Sequence, residues 1–460
     1  MPMASLREVD RQIIADAWTS DAAYELVERL CACGSRFPGT PGEREAAELL
    51  VAQMNRWGLS NVRLEPFEYP GWTRGSCQLD IVAPEEHQLP AISLPHTGTF
   101  DVEAEVVDVG YGTPALFDSM AAEIAGRIVL VDAKSPAYFR RGIHRMEKYG
   151  RAVAAGAVGF IWMRDQAGHL VETGALRPGA EIPGVAVTRE DGLRIRRLLR
   201  QGPVRVRIRT DNVIEQRTSW NVVGELEGRD RPGEVILVGA HVDGHDIAVG
   251  AQDDASGTAV VMEAARLLSR HREVLGRTVR FVCFGAEELG LFGSHAYVAQ
   301  HADELDQLKF MLNLDGAGRE GDKGLALQGC IELIPYFRRV AADMKEPLLV
   351  DSNFGLHSDM YPFSLAGVPS GYLAVMEEVR TGRNWGHTAA DTLDKVSPRW
   401  LRLDSMLVAR LVLRMACWPE WPGRRRTRDE VRDLMEQLGF LEVLKYTGRM
   451  PFSEEGGAKA

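Results

Sequence analysis

Cysteine is scarce in this sequence: six residues in 460, at positions 31, 33, 77, 283, 330 and 417, with no C-x-x-C pair among them. That spacing forms neither a zinc knuckle nor a disulfide framework, so reduced thiols packed mostly in the core are expected. Long apolar runs are missing too. The longest, residues 152–163, is twelve residues with two glycines, well short of the roughly 20 needed to cross a bilayer. The opening residues carry Arg7, Glu8, Asp10, Arg11 and Asp16 where a signal peptide needs an apolar segment. A soluble, cytoplasmic protein with no membrane partner is the expectation. Positive charge is in deficit, with 54 Lys and Arg against 65 Asp and Glu and a net charge of −11. Such a field repels phosphate backbones and argues against nucleic acid as a partner. The one basic run, Arg424 to Arg426 with Arg428, reads as a solvated helix start. Internal repeats and low-complexity tracts are absent.

What is present, 45% hydrophobic and 26% charged residues, is the composition of a globular chain long enough for roughly two to four domains. Residues 40–58 predict a helix. Thr40 and Glu43 make a capping box with Pro41 at the first helical position, Ala46, Ala47, Leu50, Val51 and Met54 share a face, and Gly58 is the stop. Between about 78 and 210, short β-like runs (102–109, 128–131, 158–163, 185–187) alternate with Pro/Gly breakers and one helical stretch, 144–155. After 211 the pattern becomes strand, loop, helix. The run 235–238 reads as a strand buried on both faces, the runs 278–284, 310–314 and 371–375 read as further central strands, and Ser256 reads as the cap of a helix carrying Val260, Val261, Ala264, Leu267 and Leu268. The expected fold class is α/β, a mixed, mostly parallel central sheet flanked by helices, with an inserted α+β domain. The expected domains are 1–77 and 211–425 for the main body, 78–210 for the insert, and 426–460 for a C-terminal helix (429–438) and mobile tail.

Acidic and histidine residues recur where these strands end. His241 and Asp243 follow the first central strand, Glu287 and Glu288 the second, and Asp315 the third, while Asp253 and Asp254 sit in the 250–257 loop and His387 in the loop 386–391. Carboxyl ends of strands in open α/β sheets are where ligands bind. Adjacent carboxylates at a buried strand end repel each other unless a cation compensates. Histidine and carboxylate donors without cysteine suit Zn²⁺ or a similar ion in a catalytic site. Two such ions on His241, Asp253, Glu288, Asp315 and His387 would leave a single excess positive charge, which a bridging hydroxide neutralises, the arrangement of a two-metal hydrolase. One adjacent carboxylate is then left to act as general base.

The segments GAHVDG (239–244), QDDASG (252–257), FGAEELGLFGS (284–294), LNLDGAG (312–318) and GHTAADTLDKV (386–396) resemble the M28 zinc exopeptidases, as does SRFPGTPGE (35–43). Within the insert, GRIVLVDA (126–133) and IPGVAVT (182–188) resemble the protease-associated, or PA, domain that some members carry. The resemblance implies the zinc-exopeptidase fold and two Zn²⁺ per chain, other divalent ions being alternatives. It places one ion on His241 and Asp315, the other on Glu288 and His387, and Asp253 between them. It further implies Glu287 as general base acting with a metal-bridging hydroxide, Asp243 as the residue that orients His241, and a cis peptide bond between Asp253 and Asp254. Ser358-Asp359 with Pro362-Phe363 is similar to the family's Ser-Asp-x-x-Pro-Phe element, which brings Asp359 to the pocket. Relatives carry Tyr directly before the last histidine; here Gly386 stands there and Trp385 one position earlier, so Trp385 is expected to line the pocket and the oxyanion donor stays open. His245, Asp246, His295 and His357 read as structural or surface residues.

The activity this implies is hydrolysis at the ends of short peptides, with an aminopeptidase as the leading expectation. Alternatives are a carboxypeptidase or dipeptidase of the Q type, an amidase on N-acyl amino acids or other amides, and, further off, a glutaminyl cyclase-like transferase. A ligand-less binding module is disfavoured because all five ligands and Glu287 are present. Asp359, Glu377, Glu378, Arg380 and Arg383 are the candidates for holding a substrate terminus, and a small peptide or amide is the expected partner. Oligomeric state stays open, with the insert and the Trp-containing stretch 400–421 as candidate surfaces for a homodimer.

Overall fold

The computed structural model describes residues 3–139, 141–376 and 385–452. The chain folds into two units. The first comprises residues 1–69 and 218–434, and the second 70–217 and 435–460. The second unit thus takes in most of the C-terminal segment that is expected to stand apart as a helix and tail.

In the first unit the strands lie in the order Leu349–Asn353, Lys323–Gln328, Ser370–Val375, Leu308–Leu314, Arg231–His241, Arg277–Phe284, then residues 222–226 of the long strand Arg205–Leu226. The three central strands are mutually parallel, and Leu308–Leu314 is also parallel to Ser370–Val375. Two antiparallel pairings, Lys323–Gln328 with Ser370–Val375 and Arg277–Phe284 with 222–226, make the sheet mixed. The aliphatic run in Arg231–His241 shows why both faces are buried. Successive side chains point to opposite faces. Ile236, Val238 and Ala240 enter one apolar cluster, where the helices Ser256–Ser269 and Pro398–Cys417 pack; Val235 and Leu237 enter the other, with Tyr297, Met360 and Phe363. An uninterrupted aliphatic run is the sequence mark of such a doubly covered strand.

The predicted helix at 40–58 forms as Pro41–Arg56, with Thr40 as cap and Pro41 in the first turn. Ser256 is not a cap. The helix Ser256–Ser269 has Ala255 at that position, and the carboxylate of Asp254 accepts from Gly257 N at 2.9 Å instead. Arg424, Arg425 and Arg426 precede the helix Arg428–Gln437, and Arg428, the last residue of the basic run, begins it. Arg425 donates to Ala366 O and Arg426 to Gly329 O, each at 2.8 Å, so these guanidinium groups fasten loops instead of facing water. The Trp-containing stretch 400–421 is core more than open face: the helix Pro398–Cys417 is buried over most of its length, and Trp421 packs on Tyr336 at 5.2 Å between centroids.

In the second unit the order is Ala91–Ser93, Gly184–Val187, Gly159–Met163, Ile128–Asp132, Phe100–Asp108, then residues 205–210. The strands from Gly184–Val187 to Phe100–Asp108 are parallel, and the outer pairings are antiparallel. The helix Arg145–Ala154 is capped by His144 Nδ1, which accepts from Met146 N. A second helix, Phe440–Thr447, which periodicity did not reveal, lies against it. A Cβ on Gly150 would stand 2.0 Å from Tyr446 O, so only glycine permits that approach. Residues 453–460 of the expected tail lie outside the described residues. Among the described residues no helix is long and apolar enough to cross a membrane, and all six cysteines are free.

Candidate metal centre

The parallel strands of the first unit end at one edge of the sheet, and their last residues carry the chemistry. Arg231–His241 ends on His241 itself, Arg277–Phe284 is followed by Glu287 and Glu288, and Leu308–Leu314 is followed by Asp315. The five sequence-predicted ligands fall into two groups, His241 with Asp253 and Asp315, and Glu288 with His387. Asp253 stands between them. Its Oδ1 is 3.3 Å from His241 Nε2 and its Oδ2 is 3.2 Å from His387 Nε2. His387 Nε2 is also 3.2 Å from Glu288 Oε2, and His241 Nε2 is 3.9 Å from Asp315 Oδ1. Within each group the donor atoms lie within 4.8 Å of one another.

The residues fit divalent cations. Four carboxylates (Asp253, Glu287, Glu288 and Asp315) crowd a mostly buried site, where like charges cannot all ionise without compensation. Burial disfavours the charged form of His241, yet Asp243, Asp253 and Asp315 around it hold its pKa well above the ordinary value; Glu288 and Asp253 do the same for His387. Groups that would trap protons so firmly are those that a cation replaces. Burial, reinforced by Glu288, Asp315 and Asp359, raises Glu287 well above the usual carboxylate range against the opposing pull of His241. Burial would raise Glu288 as well, but His245 and His387 bring it below that range. The two adjacent carboxyls are thus shifted in opposite directions by their surroundings.

Other predicted residues take more particular places. Asp243 does not meet His241 chiefly through its carboxylate: His241 Nδ1 is 3.2 Å from the backbone oxygen of Asp243 and 3.5 Å from Oδ1. The carboxylate instead accepts from Glu287 N and Glu288 N, both at 3.1 Å, and so fixes the turn that aims those two side chains. The bond between Asp253 and Asp254 is cis. Asp254 faces away from the ligand cluster and accepts from His241 N at 3.3 Å, Gly257 N at 2.9 Å and Gly316 N at 2.8 Å, tying two strand ends to the helix start. Ala286 and His387 have φ of 53° and 62°, left-handed values that non-glycine residues adopt at a cost of about 1–2 kcal/mol, as residues at functional sites often do. Asp359 is wholly buried, which pushes it up to about 7, and His241, Asp243 and Asp315 lie near enough to act on it. Trp385 is 36% exposed, with Lys395 Nζ 5.1 Å from its ring centroid. Glu377, Glu378, Arg380 and Arg383 lie outside the described residues. His295 meets Tyr361 edge-on at 6.4 Å between ring centroids and belongs to neither group.

Residues that sequence reasoning missed do the holding. Arg36 donates to Val242 O, Val249 O and Gly250 O, closing the loop after His241. Asp391 accepts from Gln252 N at 2.8 Å and Asp253 N at 3.1 Å. Glu43 accepts from Gly39 N and Ser219 Oγ, each at 2.6 Å. All three lie inside motifs quoted above, but nothing in their spacing separates a backbone clamp from a surface charge. His245 is the largest departure. Expected to be structural or superficial, it is 3% exposed and completes a group with Glu288 and His387.

Known proteins resemble this chain in sequence and in fold. The profile of Peptidase family M28 matches residues 221–412, and that of the PA domain residues 102–195. Aminopeptidase YwaD of Bacillus subtilis (strain 168) is 28% identical over 431 residues, 90% of each chain. Human carboxypeptidase Q is 26% identical over 422 residues, 87% of each chain. Among solved structures, a peptidase M28 precursor from Shewanella amazonensis SB2B superposes with a TM-score of 0.79 at 25% identity, covering 92% of this chain and 99% of that one. BSAP, a zinc aminopeptidase from Bacillus subtilis, gives 0.68 at 25% identity, covering 89% and 98%. With histidines and carboxylates gathered at the sheet edge where that family's profile falls, residues 221–412 form an M28 peptidase region, residues 102–195 a PA domain, and the chain is a metallopeptidase.

Proposed function

We propose that the chain is a dinuclear zinc exopeptidase that removes residues from the amino ends of short peptides. The observation that carries this reading is Asp253, whose two carboxylate oxygens face two separate ligand groups at 3.3 Å and 3.2 Å, with Glu287 beside them. Zinc is favoured by the donor set, histidine and carboxylate without thiolate, and by the zinc aminopeptidase among the similar structures. Bound on these residues, the ions would acidify water and polarise a carbonyl. The protein's own work is proton transfer and positioning. Glu287, held by the Asp243 clamp on its backbone and carrying a raised pKa, takes the proton from the attacking water and returns it to the departing amine. His241 and His387 stay oriented by the Asp243 backbone oxygen and the strained Trp385–Thr388 turn. Trp385, exposed beside His387, offers an aromatic wall for a substrate side chain.

A second reading, a carboxypeptidase or dipeptidase of the Q type, draws support from the human relative, which is covered nearly as fully as the bacterial aminopeptidase. Zinc-loaded protein is to be assayed on free, N-acetylated and C-amidated peptides, with and without a chelator. Chelator-sensitive cleavage blocked by N-acetylation is expected; a block by C-amidation transfers the assignment to the second reading, and inertness towards every peptide sinks both. Glu287→Gln is expected to lower kcat by about 10²–10⁴ with zinc content unchanged.

A further inference from the structure

His245 has no part in the reading above, yet its surroundings demand one. Its ring lies buried with neither nitrogen in hydrogen-bond alignment, and a buried polar atom left unpaired is costly. Nε2 is 2.9 Å from Glu288 Oε2 without the alignment of a hydrogen bond. His387 Nε2 approaches the same carboxylate oxygen at 3.2 Å and Asp253 Oδ2 at 3.2 Å. Two donors each bound at about 2.0–2.1 Å to one tetrahedral ion stand about 3.3–3.4 Å apart, so these separations are close to the edges of a single coordination polyhedron. The imidazoles of His245 and His387 meet at 77° with centroids 4.4 Å apart, which lets both ring nitrogens converge on Glu288. The loop bearing His245 is held by the Arg36 guanidinium at Val242 O, Val249 O and Gly250 O.

We propose that His245 is a fourth protein ligand of the ion held by Glu288, His387 and Asp253, an assignment that rests on the dinuclear reading. The two ion positions are then unequal. One has two imidazoles and two carboxylates, a filled tetrahedral set; the other has His241, Asp315 and the shared Asp253, and keeps an open coordination position. The nitrogen-richer position holds zinc more tightly and fills first, and the exchangeable ion sits on the Asp315 side.

The test is zinc titration of the apoprotein against a competing chelator, with zinc-edge X-ray absorption at one equivalent, on the wild type, His245→Phe and His245→Ala. The wild type is expected to bind two ions of unequal affinity, the first with two imidazoles. In His245→Phe the tighter affinity falls by at least about tenfold and one imidazole disappears. A residue that only positioned Glu288 would weaken binding without changing the imidazole count, and that result overturns the assignment, as does a single imidazole on the first ion in the wild type. The wild-type spectrum decides the matter even where a variant misfolds. Saturation of the wild type at one ion sinks the dinuclear reading separately, and the imidazole count on that ion still decides for or against His245.

Discussion

At the scale of single residues, the site is a problem of placing negative charge. Glu43 shows how the problem reaches beyond the ligands. Burial, reinforced by the neighbouring Asp243, raises it from 4.5 to about 8, against the pull of its hydrogen bonds from Ser219 and Gly39. A carboxyl whose folded pKa is raised binds a proton in the folded state that the unfolded chain has released. Its contribution is therefore fully present below about 4.5 and is lost as pH climbs through about 8. Glu43→Gln is expected to flatten that decline. Its thermal midpoint, measured by circular dichroism across the window, should fall less with pH than that of the wild type. A small fixed loss at the acid end is also expected, because an amide nitrogen replaces one acceptor oxygen. Parallel curves for the two proteins would show that Glu43 is ionised throughout.

At the scale of elements, the ligands are aligned because the strand ends are locked to one another. Asp254 is the lock, accepting three backbone amides from His241, Gly257 and Gly316. Each such bond contributes about 1 kcal/mol net, more when a buried N–H is left unpaired. Asp254→Ala is accordingly expected to cost about 3 kcal/mol or more in urea unfolding and to weaken zinc binding, although no ligand is removed. Asp254→Asn retains one acceptor oxygen and should lose less. Equal zinc affinity in all three proteins would mean that the strand ends hold their alignment without this carboxylate. The same scale shows what periodicity could reach. The strand runs 235–238, 278–284, 310–314 and 371–375 and the helix at 40–58 were legible because doubly buried strands and capped amphipathic helices write themselves into adjacent positions. The helix Phe440–Thr447 was not, since eight residues between two glycines carry too few turns to show a face.

At the scale of the whole molecule, chain order and spatial grouping diverge. The C-terminal segment belongs with residues 70–217, joined through the close approach at Gly150, the 2.8 Å ion pair of Arg151 with Glu442, and the buried Val443 and Leu444. Burying two such aliphatic side chains stabilises by about 3–6 kcal/mol. A chain ended at Leu438 is expected to show faster hydrogen exchange in Arg145–Ala154, while Arg277–Phe284 stays protected and zinc content is unchanged, because every ligand lies in the other unit. Loss of zinc on truncation would contradict that division.

The sequence by itself determined which strands are buried, which residue types stand at their carboxyl ends, and, through the order of the motifs, the resemblance to M28 peptidases. These are local facts, carried by neighbouring residues and by a run of side chains that must be apolar on both faces. The tertiary structure decided which of those polar residues face one another. Asp253 and Asp254 are adjacent in the chain, yet one stands between the ligand groups and the other ties backbone amides. Asp243 serves the Glu287–Glu288 backbone more directly than it serves His241, and His245 turns inward to Glu288. Most of these roles depend on distances between residues more than forty positions apart, which only the packed sheet sets and no spacing along the chain encodes.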